Sequence, residues 1–200
     1  MPTLTYTPPS YTTGNVIHGT GILFTAATGT SVPSDANLGV GSAWTGLGWA
    51  YVGALLDGVT VTFAPTTQDI TIEEQPTPVG VAVTTANLTI TCNMSEETLA
   101  NVSLAWGNAG SIAVTPAGAG QPGKSVLTLS TTLANVAAAL IGVNAYGYAG
   151  VLYVPTMISA GQVQTAYRRA AQQRVYPLTL NSICPFTSIT WTYLTSPATS

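Results

Sequence analysis

Seven acidic and four basic side chains are all the charge available to wet the surface of a chain of 200 residues. Charged residues make up 6% of it, where a soluble domain ordinarily carries roughly 25%. The rest of the surface must be Thr, Ser, Asn, Gln, Gly and Ala, which hydrate weakly and repel neighbours poorly. Such a chain must cover itself with lipid or with other protein. Lipid fails on length: the longest apolar run, residues 136–143, contains Gly142 and is far short of the roughly 20 residues that span a bilayer. Met1-Pro2-Thr3-Leu4-Thr5-Tyr6 has no basic stretch leading into an apolar one, so no signal peptide is expected. Disorder fails as well, because 46% of the residues are apolar and a chain this long buries about 70% of its unfolded surface. Self-association is the first expectation.

The charges are also segregated. Asp35, Asp57, Asp69, Glu73, Glu74, Glu96 and Glu97 all precede residue 98, and Lys124, Arg168, Arg169 and Arg174 all follow residue 123. Chance in a small sample is one reading; the other is an acidic face and a basic face that meet between subunits. Head-to-tail interfaces generate rings and filaments, and complementary potentials set their direction. Cys92 and Cys184 lie far apart and outside any CxxC spacing. Two buried thiols, as in a protein made in a reducing cytoplasm, are the simplest expectation, with a single disulfide as the alternative.

Along the chain the signals are mostly those of strands. Residues 1–12, with Pro8-Pro9, read as an N-terminal arm, and residues 195–200 as a polar C-terminal tail. Residues 16–25 read as a strand broken by Gly19 and Gly21, and residues 28–43 as a long loop suited to reaching a neighbour. Asp57-Gly58 has the composition of a hairpin turn, and Val59, Val61 and Phe63 alternate with threonines as a half-buried strand that Pro65 should end. Ile70 and Ile72 mark a further strand, and residues 79–92 a long one. The period then changes to 3.6. Ser95 suits an N-cap, Glu96 and Glu97 a first turn, Leu99, Val102 and Trp106 a buried stripe, and Gly107 a stop. A helix over 95–106 is expected, and Trp106→Ala should then cost about 3–5 kcal/mol. Residues 112–115, 126–130, 151–154 (closed by Pro155), 175–180 and 189–193 read as strands. Residues 133–141 read as an Ala-rich helix, and 161–174 are ambiguous. The sum is one β-dominated α+β domain over residues 1–200.

Chemistry is scarce. Residues 118–125, GAGQPGKS, fit the phosphate-cradling pattern GxxxxGK[ST]. A nucleotide site would need a helix directly after it, but Val126, Leu127, Thr128 and Leu129 continue a strand-like alternation; it would also need a downstream carboxylate for Mg²⁺, and none follows residue 97. A single histidine, His18, excludes multi-histidine metal sites, and no G-x-S-x-G elbow supports a serine nucleophile. Arg168, Arg169 and Arg174 form the one basic cluster, too small for a nucleic-acid footprint at a net charge of −3. No catalytic, metal or cofactor set is expected.

Within residues 50–107, Tyr51-Val52-Gly53, Asp57-Gly58-Val59-Thr60-Val61, Asp69-Ile70, Ile72-Glu73-Glu74-Gln75 and Pro78-Val79 lead through Leu88-Thr89-Ile90 to Ser95-Glu96-Glu97-Thr98-Leu99-Ala100-Asn101. This run, with Arg169 and Val175-Tyr176-Pro177-Leu178, resembles the tail tube (major tail) proteins of long, non-contractile-tailed phages. It covers about a third of the chain. The resemblance implies a flattened β-barrel or sandwich of two packed antiparallel sheets flanked by one helix. It implies subunits in hexameric rings that stack into the tail tube of a virion, with tape-measure and terminator proteins as partners and the genome passing down the lumen. A lumen through which DNA slides should avoid basic grooves, because each lysine–phosphate contact is driven by counterion release; a sequence pI of about 4.7 fits. Asp57, Asp69, Glu73 and Glu74 are then candidates to face the lumen, and Arg168, Arg169 and Arg174 to contact a neighbouring subunit. The alternatives are another self-assembling virion part, such as a head decoration or tail terminator protein, and a β-sandwich binding module using Trp44, Trp49 or Tyr153 as a sugar platform.

Overall fold

A computed structural model describes residues 17–144, 148–164 and 174–194. The expected N-terminal arm and C-terminal tail, Arg168 and Arg169 lie outside the described residues. The strands are β1 (Ile17–Ala27), β2 (Ala50–Tyr51), β3 (Leu55–Ile72), β4 (Gln75–Met94), β5 (Ile112–Thr115), β6 (Lys124–Leu127), β7 (Asn135–Asn144), β8 (Ala149–Ser159), β9 (Tyr176–Ser182) and β10 (Thr190–Tyr193). The helices α1 (Gly41–Gly46) and α2 (Leu99–Ala105) are both short. An eight-stranded antiparallel sheet runs β2-β1-β7-β8-β9-β4-β3, with β10 also paired to β8, and β5 and β6 form a separate two-stranded sheet. The domain is a β-dominated sandwich. It is not a closed barrel, since β2 and β3 end the large sheet without pairing to each other.

The sandwich arises because the large sheet folds over itself at β8. The first half of β8 pairs with β10 and its last residues, Met157–Ser159 in register with β9, lead to the other half of the sheet. Pro155 stands at the turnover. It does not end the strand as expected, because a bulge between Val154 and Met157 takes up its missing N–H. One core then joins Leu23, Ala138, Leu152 and Val154 to Ile90, Met94, Leu178 and Leu180, with Val102 and Ala105 of α2 closing one side. A second core lies on the other face of β1, β7 and β8, where Phe24, Ala139, Ile141 and Val151 meet Leu38, Trp44 and Trp49.

This second layer corrects one expectation. Residues 28–43 border it, the Trp44 and Trp49 ring N–H groups donating to the carbonyls of Leu38 and Ser31 at 2.8 Å each, while most of that segment is exposed. Residues 133–141 are not a helix but largely β7, whose Ala137, Ala138 and Ala139 are fully buried. A strand covered on both faces reads as a continuous apolar run, so its period of two disappears from the sequence.

The helix is shorter than expected and capped elsewhere. The Thr98 hydroxyl, not Ser95, accepts from the Asn101 N–H at 3.1 Å. Glu96 instead reaches back, its carboxylate accepting from the Ala54 N–H at 2.9 Å. Asn101 is buried and donates its amide to the carbonyls of Val52 and Glu96, locking the start of α2 to the entry into β3. The buried stripe is Asn101, Val102 and Ala105; Trp106 caps the helix C-terminus and is 46% exposed. Cys92 is buried and Cys184 half-buried, and both are free thiols. Burial pushes the Cys92 thiol up to about 11.

Candidate functional site

β3 and β4 are the longest strands, and they outrun the sheet that carries them. β9 pairs with β4 only over Thr89–Met94, while β3 and β4 stay paired from Leu55 opposite Met94 to Ile72 opposite Gln75. Beyond Leu88, therefore, the hairpin projects as a two-stranded ribbon with neither outer edge paired among the described residues. Pro65 lies inside β3, opposite Ala86, and does not terminate it. An edge strand tolerates proline because one of its backbone edges has no partner to donate to.

Asp57-Gly58 is likewise not a hairpin turn. Leu56 pairs with Asn93 and Val59 with Cys92, so both residues are inserted into β3 as a bulge, at φ 65 and φ 77. The residue types that favour a left-handed turn serve equally for a left-handed bulge. Asp57 lies beside a small polar cavity of about 160 Å³ lined by Thr60, Thr91, Asn93 and Thr179. The turn of the hairpin is Glu73-Glu74. The structure thus brings Asp69, Glu73 and Glu74 together at the exposed far end, with Asp57 about 40 Å away at the base at the usual rise per strand residue.

The hairpin also carries a row absent from the sequence-derived candidates. Val83 stands across from Thr67 and Val81 across from Asp69, on the face that continues the core-facing side of β4. Val79, Val81 and Val83 are 46%, 61% and 63% exposed. Ile70 and Ile72, also exposed, stand on the opposite face of β3. The alternation that reveals a half-buried strand cannot say whether its apolar face is covered by the same chain.

A second projection stands beside α2. In β5 and β6, Ile112 pairs with Leu127, Val114 with Ser125 and Thr115 with Lys124. Asn108 anchors its base: the side-chain amide donates to the Ser130 carbonyl, and its oxygen accepts from the N–H groups of Gly110 and Ser130. A strand follows the GAGQPGKS segment and no helix does, but it runs Lys124–Leu127 and not over the expected 126–130. Between this hairpin, α2 and the ends of β1 and β7 lies an open groove of about 390 Å³, floored by Ala26, Ala100, Leu104, Ile112, Ala134 and Val136.

Of the predicted basic residues, Arg174 is described. Its guanidinium donates to the Glu97 carboxylate at 2.6 Å, tying the start of β9 to the approach to α2. Trp44 and Trp49 are buried and Tyr153 packs edge-on against Trp49 at 6.0 Å, so the three cannot form an exposed sugar platform. Among the described residues no group of three His, Cys, Asp or Glu side chains could hold a metal, and no helix is long and apolar enough to cross a membrane. Comparison with family models and with curated proteins finds no match to this chain.

Proposed function

We propose that this chain is a structural subunit that polymerises head to tail, forming rings stacked into the tail tube of a phage virion and carrying no catalytic activity of its own. The observation that carries the reading is the β3–β4 hairpin. It combines two backbone edges unpaired among the described residues with an exposed valine row on a molecule that has little charge to keep copies apart. Soluble domains guard such edges with lysines, inward charges or covering loops; here Pro65 and Asp69 interrupt β3, and no lysine stands on either strand. A contact between one copy's hairpin and a different surface of the next is heterologous, the kind that closes into rings or continues as filaments.

The resemblance of residues 50–107 to tail tube proteins supports hexameric rings, tape-measure and terminator proteins as further partners, and a lumen that conducts the genome. The acidic balance of the hairpin suits a wall along which DNA must slide without being held. Electron microscopy of the negatively stained chain across a concentration and time series tests the reading. Hollow tubes or stacked rings of one diameter are the expected result; a monodisperse monomer at every concentration refutes it.

A further inference from the structure

We propose that the polar cavity at the Asp57-Gly58 bulge binds a neutral, polyhydroxylated ring, a single pyranose unit of a saccharide. Binding there requires no assembly of copies and uses none of the surfaces on which the assembly reading rests.

The cavity is built by register. Thr60, Thr91 and Thr179 face one another across β3, β4 and β9, and Leu56, Asn93 and Pro177 form the next row on the same face. Rows two residues apart stand about 6.5 Å from each other, and neighbouring strands about 5 Å. Cys92 and Leu178, between the rows, are buried in the core and leave the floor open. Asp57-Gly58 raises one wall, because β3 spends two residues there that β4 does not match. Asp57 is the one non-glycine residue at positive φ among the described residues, a conformation that aspartate tolerates better than most. The space is about 160 Å³, the liquid volume of about five waters, which is room for one sugar ring and not for a chain of them.

The lining sorts the ligand classes. Asp57 offers a carboxylate that only accepts, Thr60, Thr91 and Thr179 offer hydroxyls that donate and accept, and the Asn93 amide does both. Among the described residues, no hydrogen bond or ion pair engages these five side chains. No basic residue lines the cavity, so an anion would meet only the charge of Asp57. A calcium ion would find one carboxylate where its sites gather several. An apolar ligand would cut five polar groups off from water and return nothing to them. A pyranose satisfies the set. Two adjacent ring hydroxyls donate to the Asp57 oxygens in charge-assisted bonds, and the others reach the threonines and Asn93. Its C–H face lies against Pro177 and the partly exposed Leu56.

Saturation-transfer difference NMR on the full chain tests the site, since it reads ligand protons whether the chain is monomeric or assembled. The probes are the methyl glycosides of D-glucose, D-galactose, D-mannose and N-acetyl-D-glucosamine, each titrated at millimolar concentration. At least one is expected to take up saturation on its ring C–H protons. Asp57→Asn, which also tolerates a positive φ, should weaken that binding at least about tenfold with an unchanged unfolding temperature. Thr91→Val, which removes a hydroxyl at constant shape, should weaken it about fivefold. Thr62→Val, on the same face beyond the cavity, should leave it unchanged. Absence of transfer to all four glycosides overturns the site, as does binding that Asp57→Asn leaves intact. Should Asp57→Asn fail to fold, Thr91→Val decides: undiminished binding in that variant overturns the site.

Discussion

Trp44 and Trp106 are expected to change places in energetic importance relative to what helical spacing alone implies. Trp44 has no exposed surface, stacks on Phe24 at 5.6 Å and meets Trp49 edge-on at 5.1 Å. Removing its ring in Trp44→Ala forfeits about 3–5 kcal/mol of burial and packing. The Leu38 carbonyl also loses the donor that now sits at 2.8 Å, which adds about 1 kcal/mol. The total, about 5 kcal/mol, is the whole stability of many domains. Trp44→Phe keeps a stacked ring but loses the N–H and part of the volume, so it should cost about 2 kcal/mol. Trp106 is 46% exposed; solvent fills its place and no cavity remains, so Trp106→Ala should cost about 1.5 kcal/mol, not the 3–5 kcal/mol of a buried stripe. Urea unfolding of the dilute, unassembled chain, followed by far-UV circular dichroism, measures all three. Equal losses for the two alanine variants, or a loss below about 2 kcal/mol for Trp44→Ala, would refute the assignment of Trp44 to the second core.

Two further outcomes follow from local geometry. A Cβ on Gly110 would collide with the Thr128 carbonyl oxygen, whereas one on Gly118 meets nothing within 4 Å; Gly110→Ala should therefore destabilise by about 2 kcal/mol or more and Gly118→Ala by less than about 0.5 kcal/mol in the same assay. The Cys92 thiol titrates near 11 instead of 9.0 because burial disfavours its thiolate. A raised pKa contributes stability that is intact below about pH 9 and lost as pH rises toward about 11, and Cys92→Ser should flatten that part of the stability profile.

Much of the β framework is legible in the sequence because half its strands keep one wet face. Val59-Thr60-Val61-Thr62-Phe63 and Ile189, Trp191 and Tyr193 alternate visibly; β3 contains the first run and β10 takes up Thr190–Tyr193 of the second. The signal fails where both faces are dry, as in β7, whose alanines mimic a helix. It fails again where one residue type serves two geometries. Asp57-Gly58 makes a bulge inside β3 instead of a turn, and Pro65 and Pro155 sit within strands at places that need no N–H. Ser95 was as good a cap by type as Thr98; only the lock of Glu96 and Asn101 onto residues 52–54 selects between them. Of the candidate site, the acidic tip is readable from composition. The groove is not, because its floor is drawn from β1, α2 and β7, and no local pattern links them.

The order of strands in the large sheet also sets a schedule for the chain as it is made. β1 must wait for β7, whose first residue comes 108 positions after Ala27, for most of its pairing; until then only the two-residue β2 stands beside it. At ordinary rates of synthesis that interval is about 5–20 s. The β3–β4 ribbon pairs strands joined by a two-residue turn, and such hairpins form in about 1–10 μs. The nascent chain therefore displays its valine row long before β7 arrives to complete the sheet. On a ribosome-crowded messenger, neighbouring chains would present that row to one another while their cores are still open, so the interval before β7 emerges is when premature association has to be held off.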